Sequence, residues 1–356
     1  MEIRVIPLPE EQKKPKFTDE SQLGFGKIFT DRMFIAEWKV GQGWVDARIE
    51  PYAPFSLDPA CLVLHYAQEI FEGLKAYKWE DGTIALFRPE MNARRFNLSA
   101  DRMCMPEVPE DLFLEGIAEL VKLEADWIPS SAGTSLYIRP TMIAVEPVLG
   151  VKPSDHFYFY VILSPVGAYY AGGFNPVKIM VEDRYVRAVA GGTGDAKTGG
   201  NYASSLKAGL EAKKKGFDQV LWLDGIERRY IEEVGAMNMF FAYGNSVVTA
   251  PLEGSILNGI TRNSVVSLAE ELGFSLEERK VDIDTIMADI LSGKITEAFG
   301  SGTAAVITPV GALCYKGQNI SIGNGGVGAL TQRLYGILTG IQTGHLPDRF
   351  GWVKKL

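Results

Sequence analysis

One stretch of the chain combines a possible nucleophile with an unusually free backbone. Residues 191–202 contain five glycines around a single lysine, Lys197. Glycine permits positive φ and lets a ligand approach the backbone closely. A lysine amine in such a loop can hold a phosphate or attack a carbonyl carbon.

The first interpretation of Lys197 is a nucleotide-binding loop. Residues 191–198 match G-x-x-x-x-G-K-[ST] except at Ala196, and residues 220–224 are typical of a strand that ends in a magnesium-binding aspartate. However, a P-loop lysine opens a helix, and the two glycines at 199–200 would cost about 2 kcal/mol in its first turn. The loop also lies past the middle of the chain, which disfavours an opening βαβ unit.

The second interpretation is a lysine that forms a Schiff base with an aldehyde cofactor. This chemistry also needs a phosphate anchor, an acid facing the pyridinium nitrogen and a group near the cofactor hydroxyl. A third interpretation is a solvated lysine in a flexible loop. The choice therefore depends on whether the rest of the chain supplies the other groups.

Composition limits the partners and the compartment. The 356 residues suffice for two domains, and the net charge of −8 argues against nucleic acid as a partner. The three cysteines are isolated, so we expect no disulfide framework and a cytoplasmic location. The first ten residues lack a signal-peptide core, and the most apolar run, residues 157–163, is too short to span a membrane.

Two enzyme classes are disfavoured by the motifs that are missing. The three histidines have no metal-ligand spacing, so we expect no metal site. No G-x-S-x-G elbow of serine hydrolases occurs either.

The first half of the chain predicts a mixed α/β arrangement. The pattern predicts an extended arm over 1–22, a hairpin over 25–46, a helix from about 60 to 73 with a strand to 77, a hairpin turn at 81–82, helices over about 90–100 and 109–127, and strands over 133–143 and 155–163. Arg94 and Arg95 on the first long helix could be solvated or bind a phosphate. Tyr137 and Arg139 alternate along a strand and share a face, which could bind a carboxylate or simply be solvated.

The second half begins after a Gly- and Pro-containing segment, residues 165–174, which is the best candidate for a domain linker. The pattern then predicts strands over 177–181, 219–223 and 239–243 and helices over about 204–215, 262–272 and 330–343. Residues 257–261 precede a helix, whose N-terminal N–H groups suit a phosphate. Residues 299–305 are expected to follow a strand as a Gly-rich turn with further N–H groups. Either segment could be ordinary capping.

With these segments assembled, the chain resembles the branched-chain amino-acid aminotransferases, pyridoxal-phosphate enzymes of fold type IV. The resemblance extends over nearly the whole chain and rests on specific motifs. They are His65-Tyr66, Phe71-Glu72-Gly73, Gly133-Thr-Ser-Leu-Tyr-Ile-Arg-Pro140, Pro165-Val-Gly-Ala-Tyr169, Gly199-Gly-Asn-Tyr202, Glu233-Val-Gly235 and Gly300-Ser-Gly-Thr-Ala304. The resemblance implies a two-domain α/β (α+β) fold: a small N-terminal α/β domain over 1–165, an interdomain loop over 166–175, and a larger barrel-like β domain with helices over 176–356.

The resemblance also implies the residues that bind pyridoxal 5'-phosphate. Lys197 matches the Schiff-base lysine, whose freed amine would shuttle the proton between substrate Cα and cofactor C4′. Glu233 matches the acid on the pyridinium nitrogen, and Tyr202 the phenol on the ring oxygen. The remaining matches are phosphate contacts: Arg95, Ile260, Thr261 and Thr303.

For substrates, the resemblance implies reversible transamination of L-leucine, L-isoleucine and L-valine with 2-oxoglutarate, giving branched-chain 2-oxo acids and L-glutamate. Thr303 and Ala304 match the amides that hold the α-carboxylate, supported by Tyr66. The aromatic wall of the pocket matches Phe25, Phe71, Tyr137 and Tyr169. Arg139 matches the residue that admits the distal carboxylate of glutamate. Val151 matches a loop that reaches the neighbouring subunit's site, which implies a homodimer.

Two departures from the family are visible. Ala236 stands where many relatives carry threonine after Glu-Val-Gly, which removes one hydroxyl near the cofactor. Ala305 and Thr308 occupy the positions of a Cys-x-x-Cys redox switch found in mammalian relatives. Thiol regulation of that kind is therefore not expected.

Overall fold

The computed structural model describes residues 1–167, 169 and 173–356, which pack as two units. Unit 1 comprises Met1–Ala171, Ala196–Gly199 and Gly340–Leu356, and unit 2 comprises Gly172–Asp195 and Gly200–Thr339. The linker expected over 166–175 lies partly outside the described residues. The domain limits inferred from the sequence therefore stay a prediction.

Unit 1 is built on a nine-stranded sheet. Its strands are β1 (Arg4–Val5), β2 (Arg32–Lys39), β3 (Gly43–Pro51), β4 (Glu69–Phe71), β5 (Leu74–Lys78), β6 (Ile84–Phe87), β7 (Ser135–Ala144), β8 (His156–Val166) and β18 (Val353–Lys355). The order is β1-β3-β2-β8-β7-β5-β6-β18, with β4 paired to β7. The predicted hairpins at 25–46 and 81–82 are confirmed as β2–β3 and β5–β6. The short edge strands β1 and β18 were not expected.

Alternation along these strands divides the two faces of the sheet. The helices of unit 1 are α1 (Leu62–Tyr66), α2 (Pro89–Arg102) and α3 (Glu110–Leu123). Phe96 of α2 and Phe113 of α3 pack on Phe159 of β8 in the buried core. Leu136 and Ile138 belong to this core, so Tyr137 and Arg139 face the other side of the sheet.

The helix predicted from about residue 60 to Gly73 is wrong beyond Tyr66. Ala67 adopts a left-handed conformation (φ 49°) and ends α1 after five residues. Residues Glu69–Phe71 then pair with β7 as a strand. A short apolar run fits both a helix and a buried strand, so the pairing with β7 decides between them.

Unit 2 contains a closed six-stranded barrel. The strands of the unit are β9 (Val177–Glu182), β10 (Gln219–Leu223), β11 (Ile231–Val234), β12 (Met237–Tyr243), β13 (Ser246–Thr249), β14 (Ser275–Glu278), β15 (Glu297–Gly302), β16 (Val306–Tyr315) and β17 (Gln318–Ser321). The order β11-β10-β9-β16-β15-β12 is closed by pairing of β11 with β12. The barrel-like β domain is therefore confirmed.

The helices of unit 2 and its strand β15 correct two expectations. They are α4 (Gly199–Ala203), α5 (Leu206–Lys214), α6 (Ile260–Glu271), α7 (Ile283–Leu291) and α8 (Ala329–Gln342), of which α4 and α8 each extend into unit 1. A short helix, α4, does begin at Gly199, so the two glycines did not prevent one. Residues 299–302 lie inside β15, and only residues 303–305 form the turn.

Across the described part of the chain, no helix combines the length and the apolar character needed to cross a membrane.

Candidate active site

Lys197 is held by its backbone within unit 1. Its N–H donates to Ser99 Oγ on α2 at 2.9 Å, and its carbonyl accepts from the N–H of Phe71 on β4 at 2.9 Å. The next residue, Thr198, donates its hydroxyl to the carbonyl of Glu69 at 2.8 Å. These three bonds fix the backbone on both sides of the lysine, which counts against the interpretation as a flexible loop.

The Phe71 ring connects two cations. Lys197 Nζ lies 4.9 Å from its centroid, and the Arg139 guanidinium carbon lies 4.6 Å from it. An aromatic face attracts cations through its quadrupole, by about 0.5–2 kcal/mol each. The ring therefore places an amine and a guanidinium along one apolar surface.

A row of aromatic contacts continues from Arg139. Arg139 Nη2 donates to Tyr137 Oη at 3.1 Å. The Tyr137 ring meets Phe25 edge-on at 4.9 Å between centroids, and Phe25 meets Tyr169 at 5.1 Å. Glycine at position 73 is required for this arrangement, because a Cβ there would lie 2.0 Å from Tyr137 Oη.

Arg95 is buried and paired with a carboxylate that the sequence analysis did not assign. Its Nε and Nη2 donate to the two oxygens of Glu72 at 2.7 and 2.9 Å, and Asn92 Nδ2 adds a bond of 2.7 Å. Burial raises the pKa of the Glu72 carboxyl, but the charges of Arg95 and Lys197 and these hydrogen bonds outweigh it and hold the pKa below its usual value.

Two predicted substrate residues of unit 1, Tyr66 and Val151, take no part in this row of contacts among the described residues. Tyr66, 41% exposed, donates its hydroxyl to the carbonyl of Leu149 at 2.5 Å. Val151 is 83% exposed on the same loop. Within one copy of the chain, both residues border the surface of unit 1.

In unit 2, Glu233 lies on β11 and is 3% exposed. Its Oε1 accepts from the N–H of Leu257 at 3.1 Å and from Asn238 Nδ2 at 3.3 Å. Its Oε2 lies 3.0 Å from Arg187 Nε, although that N–H is not aligned for a hydrogen bond. The carboxylate is thus fixed in place by one backbone N–H and one amide.

The N-terminus of α6 is suited to an anion. Ile260 and Thr261 form its first turn, its N-cap Gly259 supplies no side-chain acceptor, and no acidic residue follows in that turn. N–H groups at a helix N-terminus favour phosphate oxygens. Glycine at 259 is needed because a Cβ would lie 2.1 Å from Asn238 Oδ1.

The other predicted residues of unit 2 lie in two places. Tyr202 is half-buried in α4. Thr303 and Ala304 form the turn between β15 and β16, next to Ser301, whose buried hydroxyl has no hydrogen-bond partner among the described residues. The assignment of Thr303 and Ala304 to a bound carboxylate stays a prediction.

The alternative of a nucleotide loop loses its magnesium ligand. Asp224 accepts the backbone N–H groups of Ile226, Glu227, Arg229 and Tyr230 at 2.7–3.1 Å. Burial opposes this charge, but the four backbone bonds hold the pKa of Asp224 below its usual value. Its carboxylate therefore caps a turn.

Sequence reasoning missed four residues that support the predicted ones. Glu72 was part of a quoted motif but received no role, and Arg187, Asn238 and Ser99 were not singled out. A glutamate inside an otherwise apolar segment was a usable signal for Glu72. Ser99 and Arg187 carry no local signal, because Lys197 and Glu233 are distant from them in sequence. Asn238 is close to Glu233 in sequence, but its contact depends on the pairing of β11 with β12.

Comparison with known proteins identifies the chains to which this one is similar. The family model described as Amino-transferase class IV matches residues 69–313. The chain is 55% identical to branched-chain-amino-acid aminotransferase 2 of Bacillus subtilis (strain 168), over 97% of this chain and 94% of that protein.

Solved structures give the same result at lower identity. The branched-chain amino acid aminotransferase of Escherichia coli matches with a TM-score of 0.75 and 28% identity, covering 90% of this chain and 98% of that one. The branched-chain aminotransferase of T.th., solved with pyridoxamine 5'-phosphate and with N-(5'-phosphopyridoxyl)-L-glutamate, matches with TM-scores of 0.74 and 0.73, 28% identity, and coverage of 90% of this chain and 97% of that one.

Proposed function

The chain belongs to the class IV aminotransferases, in the branched-chain amino-acid group, and from this premise we propose that it transfers the amino group of L-leucine, L-isoleucine and L-valine to 2-oxoglutarate. The products are the branched-chain 2-oxo acids and L-glutamate, and the reaction is reversible. The complex of the T.th. relative with phosphopyridoxyl-L-glutamate supports glutamate as the partner substrate.

The family uses pyridoxal 5'-phosphate, which supplies an aldehyde for the amino group and a ring that withdraws electrons from Cα. The side chains of this chain fit such a group. A helix N-terminus without a side-chain cap suits its phosphate, and a buried carboxylate with fixed orientation suits a protonated ring nitrogen.

We assign the cofactor contacts residue by residue on the family match. Lys197 would bind the aldehyde carbon covalently through Nζ, and Glu233 would keep the proton on the ring nitrogen. Tyr202 would donate to the ring oxygen. The phosphate would be held by Arg95, Thr303 and the first turn of α6 at Ile260 and Thr261.

Lys197 has a second task once substrate is bound. Its free amine would take the proton from substrate Cα and deliver it to cofactor C4′. The three bonds that hold residues 197–198 restrict the backbone and leave only the side chain to move. A general base positioned in this way supports proton transfer over a short path.

The observation that carries the proposal is the shared Phe71 ring. It joins the amine that would do the chemistry to the guanidinium that would admit a second carboxylate. With Phe25, Tyr137 and Tyr169, the ring offers an apolar surface for leucine, isoleucine and valine. Thr303, Ala304 and Tyr66 would bind the α-carboxylate. Burying glutamate's distal carboxylate there unpaired would cost several kcal/mol, which Arg139 would offset.

The first test is the visible absorbance of the purified protein with pyridoxal phosphate. L-Leucine should remove the visible band of the lysine-bound cofactor, 2-oxoglutarate should restore it, and D-leucine should leave it unchanged. Lys197→Ala should lack both the band and the transamination. A normal band in Lys197→Ala would refute the assignment of the nucleophile.

The second test separates the two substrates. Arg139→Ala should raise KM for L-glutamate by about 100-fold, the loss of a charge-assisted bond of roughly 3 kcal/mol, and change KM for L-leucine little. Arg139→Lys is the matched control, because it keeps the charge but not the planar fork. Equal effects of Arg139→Ala on both substrates would contradict the role.

The assembly and location complete the proposal. We propose a cytoplasmic homodimer in which Val151 and its loop reach the neighbouring subunit's site. The exposure of Val151 supports an apolar contact with another copy. Val151→Asp should reduce the dimer fraction in light scattering, and cell fractionation should place the activity in the cytoplasm.

A further inference from the structure

Glu69 shares a face of the unit 1 sheet with the proposed substrate residues. It lies two positions before Phe71 on β4, and β4 pairs with β7 so that Glu69 is opposite Ile143 and Phe71 is opposite Thr141. Directly paired residues of antiparallel strands point to the same side. Arg139 occupies the same side of β7, four residues before Ile143.

Glu69 is half-buried on this face. Among the described residues, no donor forms a hydrogen bond with either oxygen and no cation pairs with them. The carboxylate packs on the backbone after Lys197, since a Cβ at Gly199 would lie 1.9 Å from Oε1. Burial raises the pKa of Glu69, and the positive charge of Arg139 only partly opposes this.

Arg139 has unused capacity on the same face. Of its five N–H donors, the hydrogen bonds of the described residues use one, to Tyr137 Oη. Its Nε is buried and has no acceptor in the described part of the chain. The charge of Arg139 therefore acts on the Glu69 carboxylate, but the two side chains form neither a hydrogen bond nor an ion pair.

Two other titratable groups border this pair. Tyr160 on β8 has its pKa raised by burial and lies within the electrostatic reach of both Glu69 and Arg139. Lys197 lies across the Phe71 ring from Arg139. Neither group gives Glu69 a direct partner.

We propose that Glu69 is a specificity-determining residue that controls binding of the distal carboxylate of glutamate and 2-oxoglutarate at Arg139. This rests on the proposed function. The dicarboxylate binds with one proton taken up on Glu69, which then donates a hydrogen bond to the distal carboxylate instead of repelling it. Leucine, isoleucine and valine bring no second charge and require no proton.

The sign of the pH effect follows from this proton uptake. A bound dicarboxylate raises the pKa of Glu69 further, because two neighbouring carboxylates disfavour a second negative charge. The KM for the dicarboxylate is lowest when Glu69 is protonated. It rises as the pH increases through the pKa of Glu69 in the free enzyme. One pKa unit of difference corresponds to about tenfold in KM.

The kinetic test uses the holoenzyme across a pH series, with L-glutamate and L-leucine as alternative amino donors. In the natural protein, the ratio of kcat/KM for leucine to that for glutamate should rise about tenfold for each pH unit above the pKa of Glu69 in the free enzyme. Glu69→Gln imitates the protonated acid, so its ratio should be low and independent of pH. Glu37→Gln, a part-buried carboxylate on β2, is the matched control and should behave like the natural protein.

A binding test does not depend on turnover. Glutarate, a dicarboxylate without an amino group, should bind the natural holoenzyme with uptake of about one proton, measured by calorimetry in buffers of different ionisation enthalpy. 4-Methylpentanoate should bind without uptake, and Glu69→Gln should bind glutarate without uptake.

The outcomes separate the two proposals. Glutarate binding without proton uptake, or a pH-dependent ratio that persists in Glu69→Gln, would overturn the role of Glu69. Equal changes for leucine and glutamate in Glu69→Gln would also contradict it, because they indicate a structural effect. Failure of both donors to react in the natural protein counts against the proposed function, and the glutarate titration then decides the role of Glu69.

Discussion

Each unit of the molecule contains a buried carboxylate beside a buried arginine, and these two pairs are built differently. In unit 1, Glu72 and Arg95 face each other fork to fork with bonds of 2.7 and 2.9 Å. In unit 2, Glu233 and Arg187 approach to 3.0 Å without an aligned N–H. All four side chains are less than a tenth exposed.

The two pairs differ in which side chain the surrounding hydrogen bonds hold in place, the arginine or the carboxylate. Glu72 receives two Arg95 donors, the Asn92 amide and its neighbour's N–H, so the arginine is locked and the carboxylate is saturated. Glu233 is oriented by a backbone N–H and an amide, and Arg187 mainly balances its charge. A bidentate pair adds geometric specificity to charge neutralisation. Unit 1 thus positions a cation, whereas unit 2 positions an anion.

The largest expected effect comes from breaking the aligned pair. Glu72→Gln leaves Arg95 charged and buried, which should lower the free energy of unfolding by about 3–5 kcal/mol. Equilibrium urea unfolding of the holoenzyme measures this loss. The double variant Glu72→Leu/Arg95→Met should recover part of it, because no unpaired charge remains. A loss below about 1 kcal/mol for Glu72→Gln would contradict the role of the pair.

The misaligned pair should be coupled more weakly. In a double-mutant cycle of Arg187→Met and Glu233→Gln, we expect a coupling energy of about 1–2 kcal/mol. The same cycle on Glu72 and Arg95 should give a clearly larger value. Equal coupling energies in the two units would mean that hydrogen-bond alignment does not distinguish the pairs.

Lys75 tests the effect of burial on a charge. Lys75 on β5 is opposite Tyr137, and burial lowers its pKa from 10.5 to about 8. Between these values the unfolded chain binds a proton that the folded protein does not, so stability rises with pH. Relative to Lys75→Met, the natural protein should gain about 2 kcal/mol from about pH 8 to 10.

The comparison with Lys75→Met removes the contribution of other groups that titrate at high pH. If the free energy of unfolding depends on pH in the same way in the two proteins, burial does not lower the pKa of Lys75. Lys78, an exposed neighbour on the same strand, is the control position, and Lys78→Met should leave the slope unchanged.

The smallest effect is expected for a neutral bond. Ser99→Ala removes the acceptor of the Lys197 N–H and should cost about 1 kcal/mol in the free energy of unfolding. Ser267→Ala, at an exposed hydroxyl on α6, should change it by less than about 0.5 kcal/mol. If the two serine variants lose the same free energy of unfolding, the hydrogen bond to the Lys197 N–H contributes no more to stability than an exposed hydroxyl does.

Much of the candidate site was accessible from local sequence. The glycine-rich loop identified Lys197, and period-two alternation placed Tyr137 and Arg139 on one face, where they are in contact. The helix predicted to begin at about residue 262 begins at Ile260, after Gly259, which has no side chain to cap it. These features depend on neighbours within a few positions, so residue types alone specify them.

Tertiary structure alone decided the partners and one element. Glu72 and Arg95 are 23 residues apart, and Ser99 and Lys197 are 98 apart. The strand β4 exists because β7 pairs with it, although its apolar residues also suit a helix. Closure of the barrel likewise needs β9 to pair with β16, a strand that lies far along the chain. Residue types determine which groups are available and which face they occupy, whereas pairing at long range depends on the packed sheets and therefore appears only in the folded chain.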